Sequence, residues 1–389
     1  MGTRQVVILG AGVGGLVAAR RLRKLLPDRD RVVVVDRATD SVFAPSFPWL
    51  VSGARTANDV ARPLAKLLRG SAEFVHGEVA AVDPVARRVV VGDRALDADA
   101  LIIALGAELA ADAVPGLAQA GHNLYQLAGA GSMHESLGRL ERGRVVVLTA
   151  TPAYKCPAAP YEIVMLIDEL LRRRGRRRHV TVDLIAAEPA PLPVAGEAVG
   201  AAVRSLLASK GIGYFPSRQI ADADAAAGTL RFSDGSEEHY DVLGFVPPHR
   251  APTTVADAGL TGASGWIAVD RGTLATRYGE VYAIGDVTSI PLTVGRPLPK
   301  AGVFAHRHAE VVAANIAHAW TGRGAPAVFD GHGACFIEVG DGRAGYGAGN
   351  FYAEPAPRIA LRQPTRLAHW GKALYERLWL RGVFLGLPG

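Results

Sequence analysis

Across 389 residues the chain carries 49% hydrophobic and 21% charged residues and a net charge of +6. That is enough apolar material for two to three globular domains, and too little clustered positive charge for a nucleic-acid binder. Two cysteines exclude a disulfide scaffold and a four-cysteine metal site.

The first strand pattern begins near Gln5, so no secretory leader is expected ahead of it. No apolar run reaches the roughly 18 residues of a membrane-crossing helix. Gln5 to Leu9, with the unbroken apolar run Val6 to Leu9, reads as a strand buried on both faces. Gly10-x-Gly12-x-x-Gly15 follows and leads into a helical pattern from Leu16 to Leu26. A second apolar strand, Arg31 to Val35, ends in Asp36, 21 residues after Gly15. Strand, glycine turn, helix, strand and terminal acid together predict a dinucleotide-binding unit. Gly10 permits the tight turn, Gly12 lets backbone N–H groups reach a pyrophosphate, and Gly15 lets helix and strand pack closely. The helix N-terminus favours phosphate charge, and Asp36 is placed to accept hydrogen bonds from an adenosine ribose.

Asp99 to Gly106 reads as a strand ending in a small residue and a glycine, so Gly106 joins the candidate cofactor residues. The segment 111–245 is expected to be an inserted second domain. Within it Arg144 to Leu148 is a strand, and Tyr161 to Arg174 has the apolar spacing of a helix. Between them, where a nicotinamide-binding domain places glycines, stand Pro152, Pro157 and Pro160 with Lys155 and Cys156. This loop predicts a thiol site in place of a nicotinamide site, with Lys155 beside Cys156 to favour a thiolate. Glu162 is read either as a proton relay or as a plain surface position. The basic run Arg172 to His179 is read as a solvated cap facing a helix dipole, with a membrane contact as the alternative. Thr181 to Ile185 is the next strand. Glu188 then stands where a ribose-binding acid would sit, without a glycine turn to serve it. Ala221 to Ala227 reads as a loop or short turn.

Far downstream, Thr276-x4-Val281-Tyr-Ala-Ile-Gly285-Asp286 resembles the second FAD motif of two-dinucleotide-domain flavoproteins. Gly285 would allow close approach, and Asp286 would hold the ribityl chain. The two motifs together imply FAD, bound by a domain split in sequence. A helix follows Pro299-Lys300 and runs to about Trp320; its N-terminus and Lys300 are expected to face the flavin ring. His306 and His308, two apart, point to different sides of that helix, so no metal site is expected. Cys335 opens an alternating, glycine-rich stretch read as a hairpin, ending near Phe351 and Tyr352. In the segment from Pro364 to Leu385, Leu367, Trp370, Leu374 and Leu378 follow helical spacing, with Trp379, Phe384 and Leu385 nearby. Arg362, Arg366, Lys372, Arg377 and Arg381 surround them against one acid, Glu376. A basic amphipathic helix with tryptophans predicts an interfacial membrane anchor. The competing reading packs it on the protein or on a second subunit.

The predicted fold is α/β: two Rossmann-like domains of the dinucleotide-binding type, a C-terminal hairpin and an amphipathic helical tail. The expected parts are 1–110 and 246–325 for the split FAD domain, 111–245 for the degenerate nicotinamide-type domain, and 326–389 for the C-terminal region.

These residues reach a family. The chain resembles sulfide:quinone oxidoreductases and the flavoprotein subunit of flavocytochrome c sulfide dehydrogenase. The resemblance runs nearly end to end. It is carried by the Gly10 turn, Phe43-Ala-Pro-Ser-Phe-Pro-Trp49, Tyr154-Lys-Cys156-Pro-Ala-Ala-Pro160, Val281 to Asp286, Pro299-Lys-Ala-Gly302 and Gly333-Ala-Cys335-Phe-Ile-Glu338. It implies that Cys156 and Cys335 form a redox-active pair on the flavin face where NAD(P)H would otherwise sit, with Cys335 as the flavin-facing persulfide carrier. Hydrosulfide would attack their disulfide, and two electrons would pass through FAD to a membrane quinone. Phe336, Phe351 and Tyr352 are read as lining the quinone channel. Many quinone-linked members have a third cysteine, absent here, which puts the sulfur substrate and product in question. No cysteine lies near Phe43 to Trp49, so the FAD is expected to be non-covalent. Peripheral attachment to a bacterial inner membrane follows from the tail, and a homo-oligomer is left open. The competing readings are an NADH:quinone oxidoreductase, a soluble sulfide dehydrogenase flavoprotein that passes electrons to a cytochrome, and a flavoprotein sensor.

Overall fold

The computed structural model describes residues 2–384 and residue 386. Leu385, expected beside the tail stripe, lies outside the described residues. The chain opens with β1 (Gln5–Leu9), α1 (Val13–Leu25) and β2 (Arg31–Asp36), followed by β3 (Glu73–His76) and β4 (Ala100–Ile103). The middle of the chain supplies β5 (His122–Asn123), β6 (Gly143–Thr149), α2 (Ala159–Arg173), β7 (Val180–Ala186), β8 (Gly213–Phe215) and β9 (Val242–Val246). The chain then returns with β10 (Val281–Ala283) and α3 (Gly302–Thr321). It ends in β11 (His332–Gly340), β12 (Arg343–Asn350), β13 (Arg358–Thr365) and α4 (Arg366–Leu380).

Two five-stranded parallel sheets result. The first has the order β10-β4-β1-β2-β3, so the late strand β10 joins the N-terminal strands. The second has the order β5-β9-β6-β7-β8 and uses only the middle of the chain. Both central strands are covered on both faces, as their unbroken apolar sequences require. Val6 and Ile8 share a core with Leu16, Val312 and Ile316 of α1 and α3, while Val7 and Leu9 pack with Val79, Val89 and Val255 on the other side. In the second sheet Val145 and Val147 meet Ile163 and Ile167 of α2, and Val146 and Leu148 meet Leu230 and Phe232. Each such side chain stabilises the fold by about 1.5–3 kcal/mol on burial.

The structure departs from the sequence reading in three places. Ile220–Asp224, which overlaps the start of the segment read as a loop, is a strand paired with Thr229–Phe232. The hairpin gains a third strand, β13, giving an antiparallel β11-β12-β13 sheet, and Arg362 lies on that strand instead of beside the helix. The helix α4 starts later than expected, where Thr365 caps it by accepting the Ala368 N–H at 3.1 Å. Within α4, Lys372, Glu376 and Trp379 are buried. Trp379 packs against Phe43 and Phe384, fixing one face of the helix to the first domain.

Candidate active site

The glycine turn is built as its spacing predicts. Gly10 has φ +95°, and a Cβ there would lie 2.5 Å from the Ala104 carbonyl oxygen. A Cβ on Gly15 would lie 1.8 Å from the Gly10 carbonyl oxygen, so α1 can approach β1 only with glycine there. Gly12 is different: a Cβ there meets nothing within 4 Å, because it borders an open cleft of about 420 Å³. Asp36 lines that cleft and steadies the turn by accepting the Ala11 N–H at 2.6 Å. Gly106, Gly285 and Asp286 line the same cleft from β4 and β10, and Ala301 and Gly302 bring the start of α3 to it.

The lining of this cleft suits FAD. One oxygen of Asp286, Oδ1, is buried without a hydrogen-bond partner. A buried orphan acceptor is costly and calls for a donor such as a ribityl hydroxyl. Burial raises the Asp286 carboxyl, with Lys155 and Lys300 opposing. Gly285 has φ +72° and donates its N–H to His308 Nδ1 at 3.2 Å, which holds the turn against α3.

Lys300 does not face the cleft as expected. Its Nζ donates to the carbonyls of Asp286 and Thr288 at 2.7 and 2.8 Å and lies 3.4 Å from the centre of the Trp266 ring. Its side chain is drawn to these carbonyls, and the residue lines a second cavity instead. Burial lowers its amine to about 8. Lys155 is the lysine that lines the cofactor cleft.

The second cavity, of about 240 Å³, is largely apolar, with Pro152, Leu192, Val194, Phe304 and Leu361 among its walls. Cys156 and Cys335 both line it. Cys156 also lines the cofactor cleft, and Cys335 does not. Cys156, in the αL conformation with φ +49°, thus sits on the wall shared by the two spaces, whereas the sequence reading expected Cys335 as the flavin-facing thiol. Its N–H donates to the Lys300 carbonyl at 2.6 Å, and its carbonyl accepts the Tyr125 hydroxyl at 2.9 Å. Both cysteines are free thiols. Burial pushes the Cys156 thiol far above its ordinary range, Cys335 and Glu162 add to this, and Lys372 opposes it. The Cys335 side chain is exposed along its cavity, yet desolvation by the apolar walls, with Glu162 adding and Lys372 opposing, pushes its thiol up to about 12. The cation that acts on both sulfurs is thus Lys372, not the sequence neighbour Lys155.

Behind Cys335 lies a buried polar network that sequence reasoning missed. Glu162 is 3% exposed, not a surface position; its Oε1 accepts from Lys372 Nζ at 2.6 Å and from the Glu338 N–H at 2.7 Å. Glu338 pairs with His369 Nδ1 at 2.9 Å. Burial works against the Lys372 charge, but Glu162 and Glu338 outweigh it and hold the ammonium above its ordinary range. Glu376 accepts from Ser46 and Arg55, tying α4 to the Phe43–Trp49 segment. The helical positions 372, 376 and 379 share one face, which was the available signal.

The three aromatics expected to line one channel do not converge. Along β11 the alternation sends Cys335 and Ile337 to the cysteine cavity and Phe336 to α4, against Gly371. Phe351 lines the cysteine cavity, edge-on to Phe304. Tyr352 donates its hydroxyl to the Arg271 carbonyl and packs on Phe329. On α4, Leu367, Trp370 and Leu374 are 83%, 71% and 57% exposed, and Trp379 is 2% exposed. Among the described residues no helix is long and apolar enough to cross a membrane.

Two parallel-sheet domains, a glycine turn at an open cleft, a buried acid with a free oxygen facing that cleft and two cysteines lining an adjoining cavity fit a flavoprotein oxidoreductase of the two-dinucleotide-domain class. Residues 4–309 match the pyridine nucleotide-disulphide oxidoreductase family, and the chain belongs to it. The sulfide-quinone reductase of Aquifex aeolicus (strain VF5) is 28% identical over 97% of this chain and 90% of its own length. The mitochondrial sulfide:quinone oxidoreductase of Dictyostelium discoideum is 25% identical over 74% of this chain and 66% of its own length. The X-ray structure of the sulfide:quinone oxidoreductase from Aquifex aeolicus matches with a TM-score of 0.88 and 25% identity, over 98% of this chain and 92% of that one. The kinship read from the motifs is borne out.

Proposed function

We propose that the chain oxidises sulfide through Cys156 and Cys335 and delivers the electrons, by way of non-covalent FAD, to a membrane quinone. One observation carries this reading. Two cysteines 179 residues apart in sequence line one cavity, and one of them also borders the cofactor cleft. FAD, when bound, supplies a two-electron acceptor beside the thiols.

Hydrosulfide attacks the disulfide, one S–S bond breaks, and a persulfide forms on one cysteine while the other leaves as thiolate. Oxidation of hydrosulfide to zero-valent sulfur releases two electrons and one proton, and a quinone takes up two protons on reduction. Lys372 of α4 and Glu162 of α2, paired across the strand that carries Cys335, supply protons for the reduction of the quinone. The exposed Leu367, Trp370 and Leu374 stripe of α4 rests in the membrane surface, beside Arg366, Arg377 and Arg381. This stripe favours a quinone over a soluble cytochrome as the acceptor.

Anaerobic stopped-flow mixing tests the proposal. Sulfide should bleach the flavin, and Cys156→Ala and Cys335→Ala should each slow this by at least ~100-fold, with the double variant no slower than either. NADH should not bleach it, because the cysteine loop has no phosphate-cradling turn. Cys156→Ala with wild-type turnover refutes the dithiol route.

A further inference from the structure

Just beyond β7, Glu188 turns inward and is 1% exposed. Thr149 Oγ1 donates to one carboxylate oxygen at 2.6 Å; the hydroxyls of Tyr154 and Tyr161 both donate to the other, at 2.5 and 2.7 Å. In a nicotinamide-binding domain an acid after this strand reaches outward to a ribose. Here the same carboxylate is saturated by hydroxyls, two of them from the cysteine loop and the helix that follows it.

The two tyrosines bracket Cys156. Tyr154 stands two residues before it and lines the cysteine cavity; Tyr161 stands in the first turn of α2. Between them Cys156 holds φ +49°, a conformation that a residue with a side chain keeps only where its surroundings impose it. The bonds from Tyr125 and to Lys300 fix the Cys156 peptide itself. Glu188 fixes the chain on either side of it.

We infer that Glu188 is a positioning residue for the thiol chemistry: through Tyr154 and Tyr161 it holds Cys156 on the wall between the cofactor cleft and the cysteine cavity. The carboxylate that would recognise a nucleotide is thereby converted into the clamp of the thiol loop. The inference rests on the reading of Cys156 and Cys335 as a redox pair.

The flavin-loaded protein is equilibrated anaerobically in glutathione buffers of stepped ratio and quenched in acid. Its free thiols are then counted by mass after alkylation. Tyr154→Phe removes one hydroxyl and keeps the ring; Glu188→Gln keeps the shape and loses the charge. In both, the equilibrium constant for closing the disulfide is expected to fall about tenfold, equivalent to about 30 mV for this two-electron couple. Reduction of the flavin by sulfide should slow by a similar factor with little change in KM, and the flavin content of Tyr154→Phe should match the wild type. If Glu188→Gln fails to fold, Tyr154→Phe decides alone. A wild-type constant in Tyr154→Phe overturns the inference. A wild-type protein that closes no disulfide at any ratio refutes the redox pair itself, and the inference with it.

Discussion

Lys372 donates to Glu162 at 2.6 Å across the back of the strand that carries Cys335, joining α4 to α2. Both side chains are buried, so neither charge is covered by water if the other is lost. Lys372→Met leaves Glu162 as an uncompensated buried carboxylate and is expected to destabilise the protein by about 3–5 kcal/mol. Adding Glu162→Leu should restore only part of that stability, because an apolar pair replaces the ion pair while the buried Glu338 N–H loses its acceptor. It should not restore reoxidation of the flavin by a quinone, if the pair moves protons. Denaturant melts and flavin reoxidation traces on the two variants separate the structural share from the chemical one. A double variant that reoxidises at the wild-type rate removes the pair from the proton path.

Gly12 and Gly15 stand three residues apart in one turn, yet their substitution should fail in different ways. A side chain on Gly12 enters the open cleft and meets no protein atom. Gly12→Val should therefore yield a folded, colourless protein whose melting point matches that of the wild-type apoprotein. A Cβ on Gly15 collides with the Gly10 carbonyl at 1.8 Å, so Gly15→Ala should displace α1 from β1 and lower the melting point of the apoprotein itself. Under the proposed non-covalent binding, acid precipitation of the wild type should release yellow flavin into the supernatant. Flavin retained in the pellet contradicts non-covalent binding.

The turn was legible because every feature it needs lies within about 30 consecutive residues, where periodicity and glycine spacing act locally. That Cys156 and Cys335 line one cavity was not. It depends on how β11 packs across α2, and no local pattern encodes that. Glu162 looked like a surface residue because its partner, Lys372, stands 210 positions away. The tail was half legible. Its basic and apolar composition was read as one stripe, but Trp370 and Trp379 are nine residues apart, which at about 100° per residue sets them on opposite faces. Trp370 accordingly faces out and Trp379 faces in. Glu188 kept its expected place at the end of a strand, and its new partners, Thr149, Tyr154 and Tyr161, appear only once β6, the cysteine loop and α2 are brought round it.

Acid should loosen the cofactor turn through His308, which is 1% exposed. Its Nδ1 accepts the Gly285 N–H, so the neutral ring carries its proton on Nε2. Burial lowers the ring to about 3 from an ordinary 6.5. The unfolded chain therefore binds a proton near 6.5 that the fold refuses until about 3. Stability is lost as pH falls through that window, by at most ~1.4 kcal/mol per pH unit. A proton forced onto Nδ1 also removes the acceptor of Gly285, so flavin release should follow. His308→Asn offers an acceptor that does not titrate, and its denaturant midpoint should fall less steeply than that of the wild type between about pH 6 and 4. Parallel curves would show that the acid sensitivity resides elsewhere.

The outward face of α4 should hold the protein on a membrane without crossing it. Trp379 anchors the helix to Phe43 and Phe384, so Leu367, Trp370 and Leu374 are presented on a fixed support and need no folding of the tail on binding. Burying their apolar area in the headgroup region gains roughly 25 cal/mol per Å². The exposed Arg366, Arg377 and Arg381 add about 1 kcal/mol each near anionic lipid. Salt screens only the second contribution. Sedimentation with anionic vesicles should therefore show partial release in high salt and full release only with detergent. Trp370→Ala should weaken binding by on the order of 2 kcal/mol, about 30-fold, while leaving reduction of the flavin by sulfide unchanged. Trp379→Ala should instead lower the melting point, because its ring belongs to the core. If the wild-type protein remains in the supernatant with anionic vesicles at low salt, the face is not a membrane surface and the acceptor is a soluble partner.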